Sequence, residues 1–388
     1  MTLSSRCTAP VHDGAASALS AARDLAGLVT ARAEQGEKDG AVPDDVVGAL
    51  SDAGLLHLLV ASELGGSGLE IDAFGEVAEE IGRADASTGW CYIANAVVTG
   101  LVAGHLDDEG ASALFARDGR AVAAGMLTPR GTVTAVDGGL RVGGEYSFAS
   151  GSRHAQWIGA AGLLASAERP TSRVFLLPRA DVEFRGNWAV LGLRATHSVD
   201  YTVPPRFVRS AFTFDPASCR PARGQVSLRL GTVALSAAGH AAVALGTARR
   251  ALEEIVRIVG AGKVRPPMPP LRDQSGFRTD FAELDGRYRA ARARHHEVLR
   301  DAVAAAASPE PVPEVVTQRI RQTATITVDT CLHVVSRCFE WSGSTGLRDP
   351  HPLQRCLRDM YAQKQHVLVD ANSLAPTAPA LMEQLRTG

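Results

Sequence analysis

The sequence shows no excess of charge of either sign. Its 388 residues include 40 Lys and Arg and 42 Asp and Glu, which gives a formal net charge of −2 at pH 7. Because no basic stripe appears either, nucleic acid is not expected as a partner. Hydrophobic residues make up 45% and charged residues 21% of the chain. These fractions are ordinary for a soluble globular protein, and the length allows two or three modules that share a core.

Long apolar runs are also missing. Each is interrupted by Gly, Arg or Asp well before the ~18 residues that a membrane-spanning helix needs, so no membrane span is predicted. Residues 1–13 lack a cationic segment followed by a long apolar core, which argues against a secretory signal. The six cysteines are scattered without CxxC spacing, as is typical of reduced, buried thiols. The sequence therefore predicts a cytoplasmic protein.

No metal-binding pattern is evident. Cys331 and His333 lack two further ligands at a suitable spacing. His295 and His296 are adjacent on a predicted helix, where successive side chains point about 100° apart. We interpret these residues as core or surface side chains and predict no metal site.

Three segments follow one another: a helical segment over residues 1–117, a β-rich segment over 118–222, and a second helical segment over 223–388. The first is rich in alanine and in apolar residues at helical spacing. Asp85 or Ser87 is predicted to cap the helix that follows. This order of segments indicates an α+β protein that is mainly α-helical.

The β-rich segment consists of short strands separated by turn residues. Residues 132–142 predict a β-hairpin around an Asp-Gly-Gly turn. Further strands are predicted at 174–177 and 201–203, the latter ended by Pro204. Together these strands predict a small antiparallel barrel or sandwich.

The last segment contains long helices. An apolar stripe from Leu245 to Val259 marks the first of them. Three more are predicted at 281–298, 314–339 and 353–369. Such long stripes are best buried in a four-helix bundle.

Four motifs carry, by their order and spacing, a resemblance to a known family. They are Ala84 to Trp90, Asp137 to Trp157 with Phe-Ala-Ser-Gly at 148–151, Gly192 to Ser198, and Pro352 to His366 with Arg-Asp at 358–359. The chain resembles the acyl-CoA dehydrogenase superfamily over essentially its whole length, and within it the two-component (group D) flavin-dependent monooxygenases. The resemblance implies an N-terminal helical domain, a central β domain and a C-terminal helical bundle.

The resemblance also implies a flavin site in the β-rich segment. An isoalloxazine ring is a flat, mostly apolar plate with a polar edge, so it needs apolar faces and a few placed polar groups. Phe148 and Ser150 alternate along a predicted strand and would share one face, where Phe148 covers the ring and Ser150 donates to the flavin edge or to a peroxide. The resemblance adds contacts from Met126, Leu127, Thr128 and Trp157. For Phe148 and Trp157, ordinary core packing is the alternative.

A second group of cofactor contacts is implied across a subunit interface. It comprises Trp341, Ser342, Gly343 and Ser344, which lie in a loop between two predicted helices. Relatives bring this loop to a flavin that is held mainly by a neighbouring subunit, and they extend an arginine, here Arg272 or else Arg278, to a flavin phosphate. The alternatives are a simple helix-ending turn and solvated arginines. The same relatives assemble through the last helical segment, which implies a homotetramer.

His366 is the main candidate for chemistry. Desaturation of a thioester needs a carboxylate base, but no carboxylate occurs between Asp359 and Asp370, where many dehydrogenases of the superfamily place theirs. The monooxygenase branch has a histidine in this position. An imidazole with a pKa near neutrality could manage protons at the flavin, with Ser150 beside the same edge. A surface histidine is the alternative, and Arg358 and Asp359 are interpreted as a structural pair.

Substrate contacts are assigned to the helix that relatives place over the flavin. Trp90, Tyr92 and Asn95 lie on it, and Tyr92 and Asn95 share one face because they are three residues apart. His240, in the first helix of the last segment, could point into the same cavity. A satisfied core histidine is the alternative for His240.

The sequence thus predicts a monooxygenase that hydroxylates or N-oxygenates a small aromatic or heteroaromatic metabolite, of indole or phenol type, through a flavin C4a-hydroperoxide. Its cofactors would be O2 and reduced flavin, either FADH2 or FMNH2. A separate NAD(P)H-dependent flavin reductase is expected, since no GxGxxG fingerprint follows a strand. An acyl-CoA dehydrogenase or oxidase with a displaced base is the second hypothesis, and a non-enzymatic flavin-carrying scaffold is the third.

Overall fold

Five helices form the first part of the chain. The computed structural model describes residues 11–115, 120–164, 170–218, 220–262 and 267–387. The helices are α1 (Val11–Asp39), α2 (Asp44–Asp52), α3 (Ile71–Ala84), α4 (Ala86–His105) and α5 (Asp108–Phe115). The predicted junction at 117/118 lies outside the described residues, and the domain boundaries remain predictions.

Helix α4 is the central element of this part. As predicted, Asp85 caps it: its carboxylate accepts the Thr88 N–H at 2.8 Å and the Thr88 hydroxyl at 2.9 Å. Nearly every residue of α4 is buried, because the helix packs on α3, on the central sheet and on a helix of the last segment. A helix enclosed on several sides is apolar around most of its circumference.

The central part is a seven-stranded sheet. Its strands are β1 (Ala123–Val136), β2 (Gly139–Tyr146), β3 (Trp157–Leu164), β4 (Thr171–Pro178), β5 (Glu183–Phe184), β6 (Tyr201–Arg209) and β7 (Thr213–Phe214). They lie in the order β5-β6-β2-β1-β3-β4-β7. The hairpin predicted over residues 132–142 is the β1–β2 pair.

The predictions of a fully antiparallel sheet and of a strand end at Pro204 were wrong. The sheet is not fully antiparallel: β1 and β3 run parallel, because the chain reverses once at the hairpin and again in the connection from β2 to β3. No pairing closes β5 onto β7 among the described strands. Pro204 does not end β6, which continues to Arg209. The pairing of β6 with β2 shifts register between Val142 and Gly144 of β2. That irregularity lets two residues without a backbone N–H stay in the strand.

Helices again form the last part. They are α6 (Gly231–Gly260), α7 (Ser275–Ala306), α8 (Glu314–Ser342), α9 (Pro352–Gln363) and α10 (Ala378–Thr387). The first three are long and pack side by side, and the short α9 packs on α6 and α8. The protein is therefore mostly helical. Along the chain, helices both precede and follow the segment that forms the central sheet.

The end of α9 differs from the prediction in a way that affects the site. The helix was predicted to reach residue 369, but it ends at Gln363. Two tight turns follow, in which the N–H groups of Val369 and Asp370 both bond to the His366 carbonyl. The Lys364 ammonium donates to the Val369 carbonyl at 3.0 Å and closes this segment. His366 consequently lies in a turn instead of on a helix.

Within the part of the chain that the structure describes, two helical stretches are long and apolar enough to cross a membrane by length and composition alone. They cover Ala86–His105 and Val226–Gly260, and 94% and 72% of their most apolar windows are buried inside the protein. Core helices meet the same criterion, so this finding is weak evidence for a membrane span.

Gly246 of α6 provides a test of the helix packing. A Cβ atom there would lie 2.1 Å from the Glu79 carbonyl oxygen of α3 and 2.5 Å from the Arg83 nitrogen. Backbone cannot move aside cheaply, so we expect Gly246→Ala to lower the free energy of unfolding by about 1–3 kcal/mol.

The matched control is Gly260→Ala in the same helix, where a Cβ atom meets nothing within 4 Å. We expect that variant to keep its stability or gain slightly, since alanine favours helix. Urea-unfolding midpoints would measure both variants. Equal midpoints would contradict the close approach of α3 and α6.

Candidate active site

A large cavity lies between α4, the sheet and the start of α6. Its volume is about 1430 Å³, whereas sites for one small ligand measure about 300–1,000 Å³. The cavity can therefore hold a large planar cofactor together with a small second molecule. Eight of the predicted site residues line it: Trp90, Met126, Leu127, Thr128, Phe148, Ser150, His240 and His366.

The first group lies on β1, where the strand is irregular. The register of β1 on β3 shifts between Met126 and Pro129, so Leu127 and Thr128 have no partner on β3. The Met126 N–H donates to the hydroxyl of Tyr201 at 3.0 Å. An interrupted strand presents backbone polar groups to the cavity, which is what the polar edge of a flat cofactor requires.

Phe148 lies on the cavity wall in an unexpected conformation. The predicted strand was wrong here, because β2 ends at Tyr146 and residue 148 lies in a loop. Its backbone has a φ of 65°, in the left-handed region that L-residues rarely adopt. The ring is 58% exposed and has the Trp188 ring edge-on at 6.3 Å. Phe148 thus offers an open aromatic face to the cavity and does not pack in the core.

Ser150 belongs to a chain of hydroxyl groups whose direction can be derived. Thr196 Oγ1 must donate to the Leu193 carbonyl, 2.9 Å away, because a carbonyl only accepts. Ser198 therefore donates to Thr196, and Ser150 donates to Ser198, each over 2.6 Å. Trp90 Nε1, a pure donor, supplies Ser150 Oγ at 3.2 Å. The Ser150 proton is thus used inside the protein, and toward the cavity Ser150 is an acceptor and not the predicted donor.

Trp90, His240 and His366 form an aromatic cluster at the same end of the cavity. The two imidazole rings lie 4.1 Å apart, centroid to centroid. Trp90 presents an edge-on contact to His240 at 4.4 Å and to His366 at 5.5 Å. The structure therefore brings the predicted catalytic histidine and the predicted substrate-side histidine into direct contact.

Hydrogen bonds fix the tautomer of each imidazole. His240 Nδ1 is 2.5 Å from the Ser236 carbonyl and must carry its proton, which leaves Nε2 as an acceptor. His366 Nδ1 accepts the Leu368 N–H at 3.3 Å, which places its proton on Nε2. The pair thus offers one N–H donor and one nitrogen acceptor side by side.

Both imidazoles are neutral at physiological pH. Burial lowers the pKa of His240 to about 4. Burial, and then repulsion from His240, lowers the pKa of His366 to about 2. The expectation of a His366 pKa near neutrality was therefore wrong, because two imidazoles in contact in a poorly solvated site cannot readily be charged.

Three predicted residues do not line the cavity. Tyr92 is fully buried on the other side of α4 and stacks on Phe74 at 5.3 Å. Asn95 donates to the carbonyls of Ala123 and Gly151, each at 3.3 Å, so it holds the loop after β2. Trp157 stacks on Phe212 at 5.4 Å, and the core-packing alternative describes it.

The predicted interface residues also lie away from this cavity. Trp341, in the last turn of α8, donates from Nε1 to Asp280 at 2.9 Å. Ser342 is buried, and Gly343 and Ser344 begin the turn after it. Arg272 and Arg278 are exposed and form ion pairs with Asp273. None of these residues lines the cavity of its own chain.

The sequence reading missed part of the cavity wall. On α4 the lining residues are Trp90, Ile93, Ala94, Val97 and Val98. Their i, i+3, i+4, i+7 spacing could have identified this face of the helix. No Asp or Glu is among the described residues that line the cavity. Within the described ranges, no group of three His, Cys, Asp or Glu could hold a metal ion.

A buried carboxylate connects two of the sequence motifs. Asp359 of α9 accepts the Leu193 N–H at 2.6 Å. Gly192 fits here because a Cβ atom would lie 2.1 Å from the Arg358 carbonyl. Burial, followed by repulsion from Asp85, raises the pKa of Asp359 to about 7. Arg358 bonds to the Leu191 carbonyl at 3.1 Å and to Glu37, so this pair of residues ties α9 to the loop before residue 193.

The neutral imidazoles lead to a pH-dependent stability. Because the pKa of His240 falls from about 6.5 unfolded to about 4 folded, the unfolded state binds more protons between these values. Stability is thus retained above about pH 6.5 and lost as the pH falls toward 4. His240→Asn should remove this loss. We therefore expect the difference in unfolding free energy, wild type minus variant, to decrease by about 1–3 kcal/mol from pH 7 to pH 4. Urea unfolding at both pH values measures it, and a pH-independent difference would show that His240 titrates normally.

Family models match both helical parts of the chain. The N-terminal domain of acyl-CoA dehydrogenase matches residues 17–113. The C-terminal domain of acyl-CoA dehydrogenase matches residues 238–371. Together the two matches cover more than half of the chain, and the second includes both histidines of the cavity.

Individual proteins resemble the chain over most of its length. The indole-3-acetate monooxygenase of Pseudomonas putida is 28% identical over 345 residues, 87% of either chain. HsaA, the oxygenase subunit of a flavin-dependent monooxygenase of Mycobacterium tuberculosis, is 26% identical over 374 residues, 92% of either chain. Its crystal structure matches 93% of this chain and 95% of HsaA with a TM-score of 0.86 and 25% identity. XiaF from Streptomyces sp., solved with FADH2 and glycerol, shares the fold with a TM-score of 0.88 over 96% of either chain at 20% identity.

The order of helices, sheet and helices, the family-model matches and these relatives agree with the four motifs. They confirm the resemblance that those motifs indicated. The chain belongs to the acyl-CoA dehydrogenase family, and its relatives over most of its length are flavin-dependent monooxygenases.

Proposed function

We propose that the protein is the oxygenase component of a two-component flavin-dependent monooxygenase that acts on a small aromatic or heteroaromatic molecule. The observation that carries this proposal is the wall of the cavity. It combines an open aromatic ring, a serine acceptor and two neutral imidazoles, and the described lining residues include no carboxylate. Such a wall suits a flat cofactor and an uncharged ring, and its relatives include monooxygenases of indole-3-acetate, resorcinol and p-hydroxyphenylacetate.

The residues present fit a flavin. Phe148 would cover one face of the ring, and the unpaired backbone of Leu127 and Thr128 would meet its polar edge. Ser150 would accept a hydrogen bond, which suits the reduced form of flavin because that form carries an additional N–H. When bound, reduced flavin supplies the electrons with which one atom of O2 enters the substrate and the other leaves as water.

The two histidines would hold protons without adding charge to the site. His366 offers its Nε2 proton to the cavity, and His240 offers an unprotonated Nε2. One of these nitrogens can thus form a hydrogen bond with a substrate hydroxyl or ring N–H and orient it. The other can form a hydrogen bond with the reacting oxygen. Burial of both imidazoles leaves this end of the cavity poorly solvated, which favours electrostatic control of the reaction.

A dehydrogenase is the weaker interpretation. Removal of an α-proton from a thioester needs a base with an accessible lone pair and a suitable pKa. The described wall of the cavity has no Asp or Glu, and both histidines are very weak bases because of their lowered pKa values. Oxygen transfer needs no such base, and it therefore fits this chain better.

The quaternary structure and partners belong to the same proposal. Trp341 to Ser344 and Arg272 lie outside the cavity of their own chain, so we assign them to the flavin of a neighbouring chain in a homotetramer. The exposed apolar Ile326 of α8 would be covered in such an assembly. Relatives described as oxygenase components imply a separate flavin reductase, and an NAD(P)H-dependent partner is consistent with a cytoplasmic location.

A first prediction concerns His366. In His366→Ala, the donor at the end of the cavity is lost, and we expect product formed per NADH oxidised to fall about tenfold or more, with hydrogen peroxide made instead. Stopped-flow mixing of the wild-type reduced-flavin complex with O2 should show an additional spectral phase between those of reduced and oxidised flavin. We expect this phase to be shorter in the variant.

The matched control is His333→Ala, which removes an exposed histidine of α8 outside the cavity. It should leave the coupling of NADH oxidation to product and the additional phase unchanged. Direct reoxidation of flavin without an additional phase in the wild-type protein would contradict a monooxygenase.

A second prediction concerns the neighbouring chain. Light scattering should give the mass of four chains, and Arg272→Gln should weaken the binding of reduced FMN about tenfold by removing a charge-assisted bond to phosphate. Riboflavin, which lacks phosphate, should bind both proteins equally. Arg278→Gln, an equally exposed arginine nearby, is the control that should bind FMN normally. A monomeric protein, or equal FMN binding in Arg272→Gln, would refute this assignment.

A further inference from the structure

The charge of the cavity is strongly one-sided. Four arginines line it, Arg220, Arg223, Arg229 and Arg321, whereas none of the described lining residues is an Asp or Glu. The two lining histidines are neutral, so they do not change this balance. The lining therefore favours a ligand that carries a negative charge.

Three of the arginines, Arg220, Arg223 and Arg229, belong to the segment that enters α6, away from the aromatic cluster. The Ala222 N–H bonds to the Gly104 carbonyl at 2.7 Å, which fixes the segment around residue 222 at the C-terminal end of α4. Trp90 is at the other end of that helix, about 21 Å away along its axis. Arg229 lies just before α6 in the sequence. His240 lies within α6, about 14 Å along the helix axis from its first residue. The cavity therefore has a neutral aromatic end and a cationic end.

Two of these arginines have structural partners. Arg223 pairs with Asp108 at 2.5 Å and with Glu63 at 3.4 Å, so its charge is balanced. Arg229 donates to carbonyls between α7 and α8, including Ala306 at 2.6 Å and Glu310 at 2.6 Å. Those carbonyls satisfy its N–H groups but carry no charge, so Arg229 adds positive potential to the cavity.

Arg321 of α8 has donors that no other described residue uses, and it is partly buried, whereas Arg220 is exposed. Its Nε is buried and has no hydrogen-bond partner among the described residues. One of its terminal nitrogens meets the amide oxygen of Gln318 at 3.3 Å, and no carboxylate within the described ranges pairs with it. A buried donor without a partner is costly. A guanidinium also has the fork geometry that binds a carboxylate through two parallel bonds.

We propose that the substrate is an aromatic acid whose carboxylate binds to Arg321 while its ring lies at the Trp90, His240 and His366 end. This proposal rests on the proposed function and names the substrate class of the same site. Arg321 and the aromatic cluster line the same cavity, so one ligand can present its ring to the cluster and its carboxylate to Arg321. Arg229 strengthens the potential at the carboxylate without touching it.

The experiment compares a carboxylate with its uncharged amide. Calorimetry without O2 or flavin would measure 3-(4-hydroxyphenyl)propanoate and 3-(4-hydroxyphenyl)propanamide on the full-length protein. We expect wild type to bind the carboxylate tenfold or more tightly than the amide, because hydrogen bonds to charged groups are the strong ones. In Arg321→Gln the two affinities should become equal, with amide binding unchanged.

The matched control is Arg319→Gln, which removes the same charge from the same helix. Arg319 bonds to Gln384 and does not line the cavity, so the preference for the carboxylate should survive. An Arg321→Gln variant that keeps the preference would overturn the proposal. So would a wild-type protein that binds both ligands equally or does not bind the carboxylate.

A flavin phosphate is the other anion that Arg321 could hold. Weaker binding of FMN but not of riboflavin in Arg321→Gln, with the carboxylate preference intact, would assign the arginine to the cofactor and overturn the substrate proposal. If Arg321→Gln does not fold, salt gives the same information on wild type. Raising NaCl from about 0.05 to about 0.5 M should weaken carboxylate binding and leave amide binding unchanged, and equal responses would count against the proposal.

The outcome is separable from that of the proposed function. Binding of the acid involves no oxygen chemistry, so a carboxylate preference without an additional phase in stopped-flow mixing would refute only the monooxygenase. Conversely, a coupled monooxygenase that binds acid and amide equally would refute only the acid substrate.

Discussion

The contact between α4 and its neighbouring helices α3 and α6 determines where the groups of the site can lie. It depends on small residues: a Cβ atom on Gly89 of α4 would lie 2.8 Å from the Gly82 Cα, and one on Gly82 would meet the Val243 backbone at 3.0 Å. Because the backbones approach so closely, Trp90 of α4 and His240 of α6 have their rings in contact. Larger side chains would separate the helices and open the aromatic end of the cavity to solvent, and both imidazoles would then regain ordinary pKa values.

A second set of contacts places His366 beside this helix pair. Asp359 accepts a bond from Leu193, and Arg358 reaches the Leu191 carbonyl and Glu37. These bonds attach α9 to the central part of the chain, and the turn after α9 carries His366 to His240. The hydroxyl chain from Leu193 to Ser150 begins at the same loop. One loop thus positions both the serine acceptor and the helix before the histidine.

The motifs predicted the family and most of the elements, because helix periodicity, the Asp85 cap and the hairpin turn are local signals. The family resemblance also assigned sixteen residues to a site, and eight of them line one cavity. What failed depended on contacts between distant parts of the chain. The parallel pairing of β1 with β3, the end of α9 before His366 and the orientation of Tyr92 are set by packing, which one-dimensional spacing does not contain. The lowered pKa of His366 likewise depends on burial in the folded chain, and then on a partner, His240, that is 126 positions away.

Phe148 has a further consequence for the protein in the cell. An aromatic ring that is more than half exposed and a backbone in the left-handed region both make the empty protein less stable than its sequence would otherwise allow. A molecule that covers the ring offsets the first of these costs, so the occupied form resists unfolding and proteolysis better than the empty form. The half-life of the protein would then follow the supply of its ligand, and cells that stop making that ligand would lose the enzyme without any change in its synthesis.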